Sequence, residues 1–131
     1  ELYAGNGNLT RDLVATGAVV TATDLALPRH HAAPGARFVA GPAAEVMAAE
    51  RRGGAAWELI VLDPPRTGAR EVIDAIAASG AARVVYVSCD PATFARDGER
   101  LVAAGWRPGT ITPIDLMPQT AHVELVATFV R

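Results

Sequence analysis

Four side chains of this 131-residue chain are of types that do covalent and acid–base work: Cys89, Glu124, Asp63 and Arg66. Cys89, the only cysteine, lies in Val84-Val85-Tyr86-Val87-Ser88-Cys89-Asp90-Pro91. Four strand-forming residues lead in, and Asp90 with Pro91 supplies a helix N-cap and a first helical position. The thiol is therefore expected at the open end of a strand, close to backbone N–H groups and the positive end of a helix dipole, a setting that favours a thiolate nucleophile. The alternative is the default for a lone cysteine, a small buried hydrophobe. Asp63 and Arg66 stand in Asp63-Pro64-Pro65-Arg66, directly after a continuously apolar run, where two prolines stiffen the chain and hold both side chains towards whatever binds there. The bland reading is a rigid turn with a surface ion pair. Glu124 opens an otherwise apolar strand, where an unpaired buried carboxylate would be costly. It is either a catalytic group or a strand-end residue facing solvent.

These residues need a scaffold that brings distant parts of the chain to one edge. Residues 1–4 read as the tail of a strand, Gly5-Asn6-Gly7-Asn8 as a tight turn, and 9–16 as a helix. That order opens a nucleotide-binding α/β unit. Thr10 stands where a dinucleotide fingerprint would place a third glycine. S-adenosylmethionine suits such a turn better, since its sulfonium and amino-acid portion need close backbone approach and bring no pyrophosphate. Taken alone, two glycines in a turn are as readily structural. A second strand over 19–23 ends at Asp24, about twenty residues after the first glycine, where a carboxylate can accept ribose hydroxyls. An ordinary strand-end Asp is the equal alternative.

Further along, 25–35 reads as a loop with His30 and His31 as surface residues, no third metal ligand standing at useful spacing. A strand is expected over 37–40, a helix over 43–52 closed by Gly53-Gly54, and a buried parallel strand over 58–62. A helix over 70–79 follows, then the cysteine strand and its helix to about residue 104. The stretches 106–114 and 122–130 are expected as two final strands that pair antiparallel at the sheet edge. His122 is a core histidine or the orienter of a partner. The fold class is thus α/β, a mostly parallel, doubly wound, Rossmann-like sheet with an antiparallel final strand, and 1–131 reads as one domain.

Composition narrows the classes. One cysteine allows no internal disulfide and no Cys/His cluster suggests a metal, so a reducing cytoplasm is the natural compartment. No apolar run approaches the roughly 20 residues of a membrane span. The formal net charge is −2, and all 12 basic residues are arginine. A domain that held nucleic acid alone would usually carry a basic excess. The opening at Glu1, in what reads as mid-strand, suggests a piece of a longer protein.

Four segments in order resemble one family: Glu1-Leu2-Tyr3-Ala4-Gly5-Asn6-Gly7-Asn8-Leu9-Thr10, Leu62-Asp63-Pro64-Pro65-Arg66-Thr67-Gly68, Tyr86-Val87-Ser88-Cys89-Asp90-Pro91-Ala92-Thr93-Phe94-Ala95-Arg96-Asp97, and Pro118-Gln119-Thr120-Ala121-His122-Val123-Glu124. Together they are similar to the S-adenosylmethionine-dependent RNA uracil-5 methyltransferases of tRNA and ribosomal RNA, of which only the catalytic domain is represented. The resemblance implies a cofactor pocket lined by Tyr3, Gly5, Gly7, Asn8, Asp24 and Asp63, with Asp63 also near the target base. It implies Cys89 as nucleophile, Glu124 as base, Arg66 as stabiliser of developing negative charge, and an RNA partner gripped largely by sequence outside this stretch, with a monomer expected. Two positions depart from the family pattern: Asp90 stands where asparagine is common, and Pro42 replaces an acidic residue used near adenine. Asp-Pro-Pro is also found in exocyclic-amine methyltransferases, which need no cysteine. A non-catalytic cofactor-binding module is the reading from another class.

Overall fold

The computed structural model describes residues 1–27, 33–116, 118–120 and 123–131, so His30, His31 and His122 lie outside the described residues. The chain falls into two compact units, Glu1–Ala55 and Ala56–Arg131.

In the first unit the order is α1 (Asn8–Ala15), β1 (Thr21–Asp24), β2 (Arg37–Ala40) and α2 (Ala43–Arg52). β1 and β2 pair in parallel, from Thr21 opposite Arg37 to Asp24 opposite Ala40. The expected first strand is reduced to one parallel bridge, Leu2 to Thr23, flanked by hydrogen bonds from Thr23 N–H to the Glu1 carbonyl and from Ala4 N–H to the Thr23 carbonyl. The extended run stops because Tyr3 takes a left-handed φ of 61°. α2 forms as its sequence dictates: Ala43 and Met47, one turn apart, are its buried residues, Glu45 lies in the first turn, and Arg51 and Arg52 lie in the last, each charge on the favourable end of the dipole.

The second unit is a four-stranded sheet in the order β3-β4-β6-β5, formed by β3 (Leu59–Leu62), α3 (Ile73–Ala77), β4 (Arg83–Ser88), α4 (Pro91–Ala103), β5 (Arg107–Ile114) and β6 (Glu124–Val130). β3 and β4 are parallel, with Leu62 opposite Tyr86. β6 runs antiparallel to both neighbours. The two final strands do pair antiparallel, but only β5 is at the edge, and β6 is inserted beside β4. Side-chain chemistry explains the order. β6 buries Leu125, Ala127 and Phe129 in strict alternation, whereas β5 is exposed throughout and carries Pro108 and Pro113, which cannot donate to a second ladder.

α4 buries Phe94, Asp97, Gly98 and Leu101, the spacing of one helical stripe. Phe94 meets Tyr86 edge-on at 5.4 Å between ring centroids and Phe129 at 6.1 Å, each contact worth about 0.5–1.5 kcal/mol beyond its buried area. The helix closes with Trp106 N–H on the Leu101 carbonyl and Gly105 N–H on that of Val102, the paired bonds of a Schellman end. α3 is shorter than the expected 70–79. Its lead-in is a tight turn, because the Ala69 carbonyl takes the N–H groups of both Val72 and Ile73 while Ala69 N–H is taken by Asp97.

Candidate active site

In the second unit, Asp63, Cys89 and Glu124 all lie at one end of the sheet. Asp63 follows the last residue of β3, Cys89 follows the last residue of β4, and Glu124 begins β6, which runs the opposite way. The β4–β6 ladder proceeds from Arg83 opposite Val130 to Ser88 opposite Leu125. Cys89 and Glu124 are the residues immediately beyond that last pair, on neighbouring strands. Both are half-buried.

Local chemistry fixes each of them. Cys89 sits between a strand whose ladder ends at Ser88 and a helix whose N-cap is Asp90. The Asp90 carboxylate accepts the Thr93 N–H at 2.8 Å, and Ser88 Oγ accepts the Asp90 N–H at 3.2 Å and donates to the Asp90 carbonyl at 3.1 Å. The strand-to-helix corner bearing the thiol is thus tied on both sides. The hydrogen bond from Thr93 N–H holds the Asp90 carboxyl below the usual aspartate range, with the Arg66 charge a smaller contribution in the same direction. Arg66 therefore acts electrostatically on the residue next to Cys89.

Asp63 has its carboxyl pushed up, first by the protein atoms that crowd it and then by the negative charge of Glu124. The residue as a whole is exposed, so this crowding is local to the carboxyl group. Two carboxylates and a thiol from three separate strand ends are thereby neighbours on one sheet edge, with Arg66 beside them. A cleft of about 730 Å³ lined by Arg70, Glu71, Asp74, Arg96 and Arg100 contains none of these residues. Its exposed Asp74–Arg100 ion pair, with oxygens at 2.6 and 2.7 Å, makes it a solvated charged surface.

The cofactor candidates of the first unit form their own cluster. Gly5 and Gly7 hold φ of 52° and 81°, and Asn8 opens α1 directly after Gly7. Gly5 N–H donates to Asp24 Oδ2 at 2.8 Å, so the carboxylate at the end of β1 is oriented by the turn itself. A Cβ at Gly5 would project into open space, while one at Gly7 would stand 2.9 Å from the Phe38 ring. The first glycine keeps a surface clear and the second lets the turn lie against β2. Residues 1–10 contain a carboxylate and amides but no Lys or Arg. That set fits a cationic sulfonium carried on a ribose better than a pyrophosphate. Pro42, in place of the acidic residue, is the N-cap of α2 and makes no side-chain cap.

Sequence reasoning passed over Asp97, which is fully buried. Its signal was a carboxylate on the apolar stripe of α4. No helix among the described residues is long and apolar enough to cross a membrane.

No protein-family model matches the chain. Among curated proteins it is 38% identical, over 98% of its length, to the 23S rRNA (uracil(1939)-C(5))-methyltransferase RlmD of Pseudomonas entomophila, of which it covers 30%. Among solved structures it matches the Pyrococcus abyssi tRNA (uracil-54, C5)-methyltransferase in complex with S-adenosyl-L-homocysteine, with a TM-score of 0.77, 26% identity, and coverage of 99% of this chain and 33% of that one. The Geobacter metallireducens precorrin-6y C5,15-methyltransferase, 12% identical with a TM-score of 0.68 over 99% of this chain and 78% of its own, shares the fold alone. The fold is that of the Rossmann-like, S-adenosylmethionine-dependent methyltransferases. This chain is accordingly a homologue of the RNA uracil-C5 methyltransferases and spans about a third of the length of the relatives it matches.

Proposed function

We propose that the chain is the catalytic part of an RNA methyltransferase that places a methyl group on C5 of a uridine. The observation that supports this reading is the β4–β6 register, whose last pair, Ser88 and Leu125, is followed on one strand by Cys89 and preceded on the other by Glu124. Tyr3, Gly5, Gly7, Asn8 and Asp24 would hold S-adenosylmethionine, whose sulfonium supplies an electrophilic methyl group. The residues of the second unit would make the pyrimidine able to accept it.

C5 of uracil is a poor nucleophile, and covalent addition at C6 is the remedy. Cys89 Sγ would form a bond to C6, driving an electron pair towards C5 and the ring carbonyl. Arg66 would stabilise the negative charge that develops there. Once C5 carries the methyl group, Glu124 would take the C5 proton, and the resulting electron pair would expel Cys89 as thiolate. A base in a stacked helix could not reach these groups, so the uridine would have to be unstacked or flipped. Release of tritium from RNA labelled at uridine C5 tests the reading: C5 methylation requires one tritium lost for each methyl group gained, and methyl transfer without that loss would contradict it.

A further inference from the structure

The buried Asp97 is used by none of the steps above, yet four donors converge on it. Its Oδ2 accepts the Ala69 N–H at 2.7 Å and the Tyr86 hydroxyl at 2.8 Å. Its Oδ1 accepts Nε and Nη2 of Arg96 at 2.9 and 2.8 Å. Arg96 Nη2 also donates to the Thr67 carbonyl at 2.9 Å. One carboxylate therefore joins three segments: the loop 63–69, the strand that ends before Cys89, and the helix that begins after it.

Between the two clamped residues stands Gly68, at φ 77°. A Cβ there would lie 2.5 Å from Arg96 Nη2, 2.6 Å from Asp97 Oδ2 and 3.1 Å from Thr93 Cβ. The backbone of the loop is thus pressed against α4 as closely as the absence of a side chain allows. Gly68 N–H closes a turn onto the Pro65 carbonyl at 2.8 Å. The loop is held at its start by the pairing of Leu62 with Tyr86 and at its end by the Arg96–Asp97 pair. Asp63 and Arg66 lie between the two anchors.

Burying a charge is expensive, and an apolar residue on the stripe of Phe94 and Leu101 would hold helix to sheet without that desolvation cost. What an apolar residue could not do is fix the distance and orientation of a loop backbone. We propose that Asp97, locked by Arg96, is a positioning residue for the methyl-transfer site: it sets the loop bearing Asp63 and Arg66 against the strand bearing Cys89. This rests on the function proposed above.

The test is Asp97→Asn in the full-length protein, assayed for methyl transfer to unmodified 23S rRNA and tRNA transcripts, with the rate of Cys89 alkylation by iodoacetamide measured on the same samples. Displacement of the loop by about 1 Å predicts a kcat lowered on the order of 100-fold. KM for RNA and the alkylation rate should stay within about twofold to threefold, because thiol and RNA surface are left in place. Arg96→Gln, at a side chain 37% exposed, should lower kcat in the same direction and serves where Asp97→Asn does not fold. Loss of activity that merely follows the folded fraction, or unchanged kcat in both variants, overturns the positioning role while leaving the wild-type reaction intact. Absence of uridine methylation by the wild-type protein would overturn the functional reading, and this role with it.

Discussion

Cys89 and Glu124 each stand one residue beyond Ser88 and Leu125, the pair that closes the β4–β6 ladder. The Cα atoms of that closing pair stand about 4.5–5.5 Å apart, so the thiol and the carboxylate leave neighbouring strands at the same end of the sheet. If the thiol adds to C6 and the carboxylate takes the C5 proton, removing the carboxylate stops the reaction after methyl transfer. Glu124→Gln should therefore accumulate a covalent protein–RNA complex carrying a methylated base, with turnover lowered roughly 100- to 10,000-fold. Denaturing gel electrophoresis of the variant with methyl-labelled cofactor reads this directly, and free turnover at the wild-type rate would remove Glu124 from the mechanism.

The two carboxylates at this edge set function against stability. Crowding and the Glu124 charge raise the Asp63 carboxyl, so the folded state binds its proton more readily than the unfolded chain does. The ionised form is then a cost to the fold at neutral pH, and the cost disappears as pH falls through the raised value towards the ordinary one. Asp63→Asn should raise the melting temperature by roughly 1–3 °C at pH 8, discounted for solvent screening at this exposed residue, and abolish activity. Melting curves at pH 8 and pH 4 should show the gain shrinking, and a gain equal at both would contradict the shift.

Asp90 carries the opposite sign. The Thr93 N–H and the Arg66 charge hold its carboxyl below the usual range, so its contribution is present above the unfolded value and lost as pH falls through the depressed one. Asp90→Ala should melt earlier than the wild type at pH 7. The difference should narrow as pH falls below the ordinary aspartate range and the wild-type carboxyl becomes protonated. Paired melting curves over pH 2.5–7 check it.

The glycine turn of the first unit offers a separable test of cofactor binding. Gly5 and Gly7 both sit at positive φ, but a Cβ meets nothing at Gly5 and the Phe38 ring at Gly7. Gly5→Ala should cost about 1 kcal/mol of stability from the backbone alone, and lower S-adenosylhomocysteine affinity at least about tenfold by filling the space the ligand needs. Gly7→Ala should cost about 2–4 kcal/mol, since the strain of a crowded ring adds to that of the backbone. Calorimetry and urea denaturation on the two variants distinguish a binding surface from a packing constraint.

Much of this is legible in the sequence where the causes are local. Asp90 and Pro91 announce the start of α4, and the run of β-branched residues before Cys89 announces β4. The bounds of β2 and α2 agree with those expected, because Gly41-Pro42 and Gly53-Gly54 punctuate them. What depends on distant partners is less visible. Nothing near residues 122–130 says that β6 enters beside β4, although Pro108 and Pro113 do mark β5 as a strand with a single pairing side. The start of α3 is displaced by the hold of Asp97 on Ala69, 28 residues apart in the chain. The candidate site has the same division. Each residue could be singled out by type and neighbours, while the arrival of Cys89 and Glu124 at one end of the sheet follows from the β4–β6 pairing and the orientation of Asp24 from one hydrogen bond from Gly5.

The most direct measurement of the central claim is the reaction of the full-length protein with RNA in which uridine is replaced by 5-fluorouridine, whose C5 fluorine blocks the final elimination. A stable, cofactor-dependent covalent complex is expected, with mass spectrometry locating the bond on Cys89 and with Cys89→Ala forming none. A complex that persists in the Cys89→Ala protein, or methylation of ordinary uridine by that variant, would contradict the account.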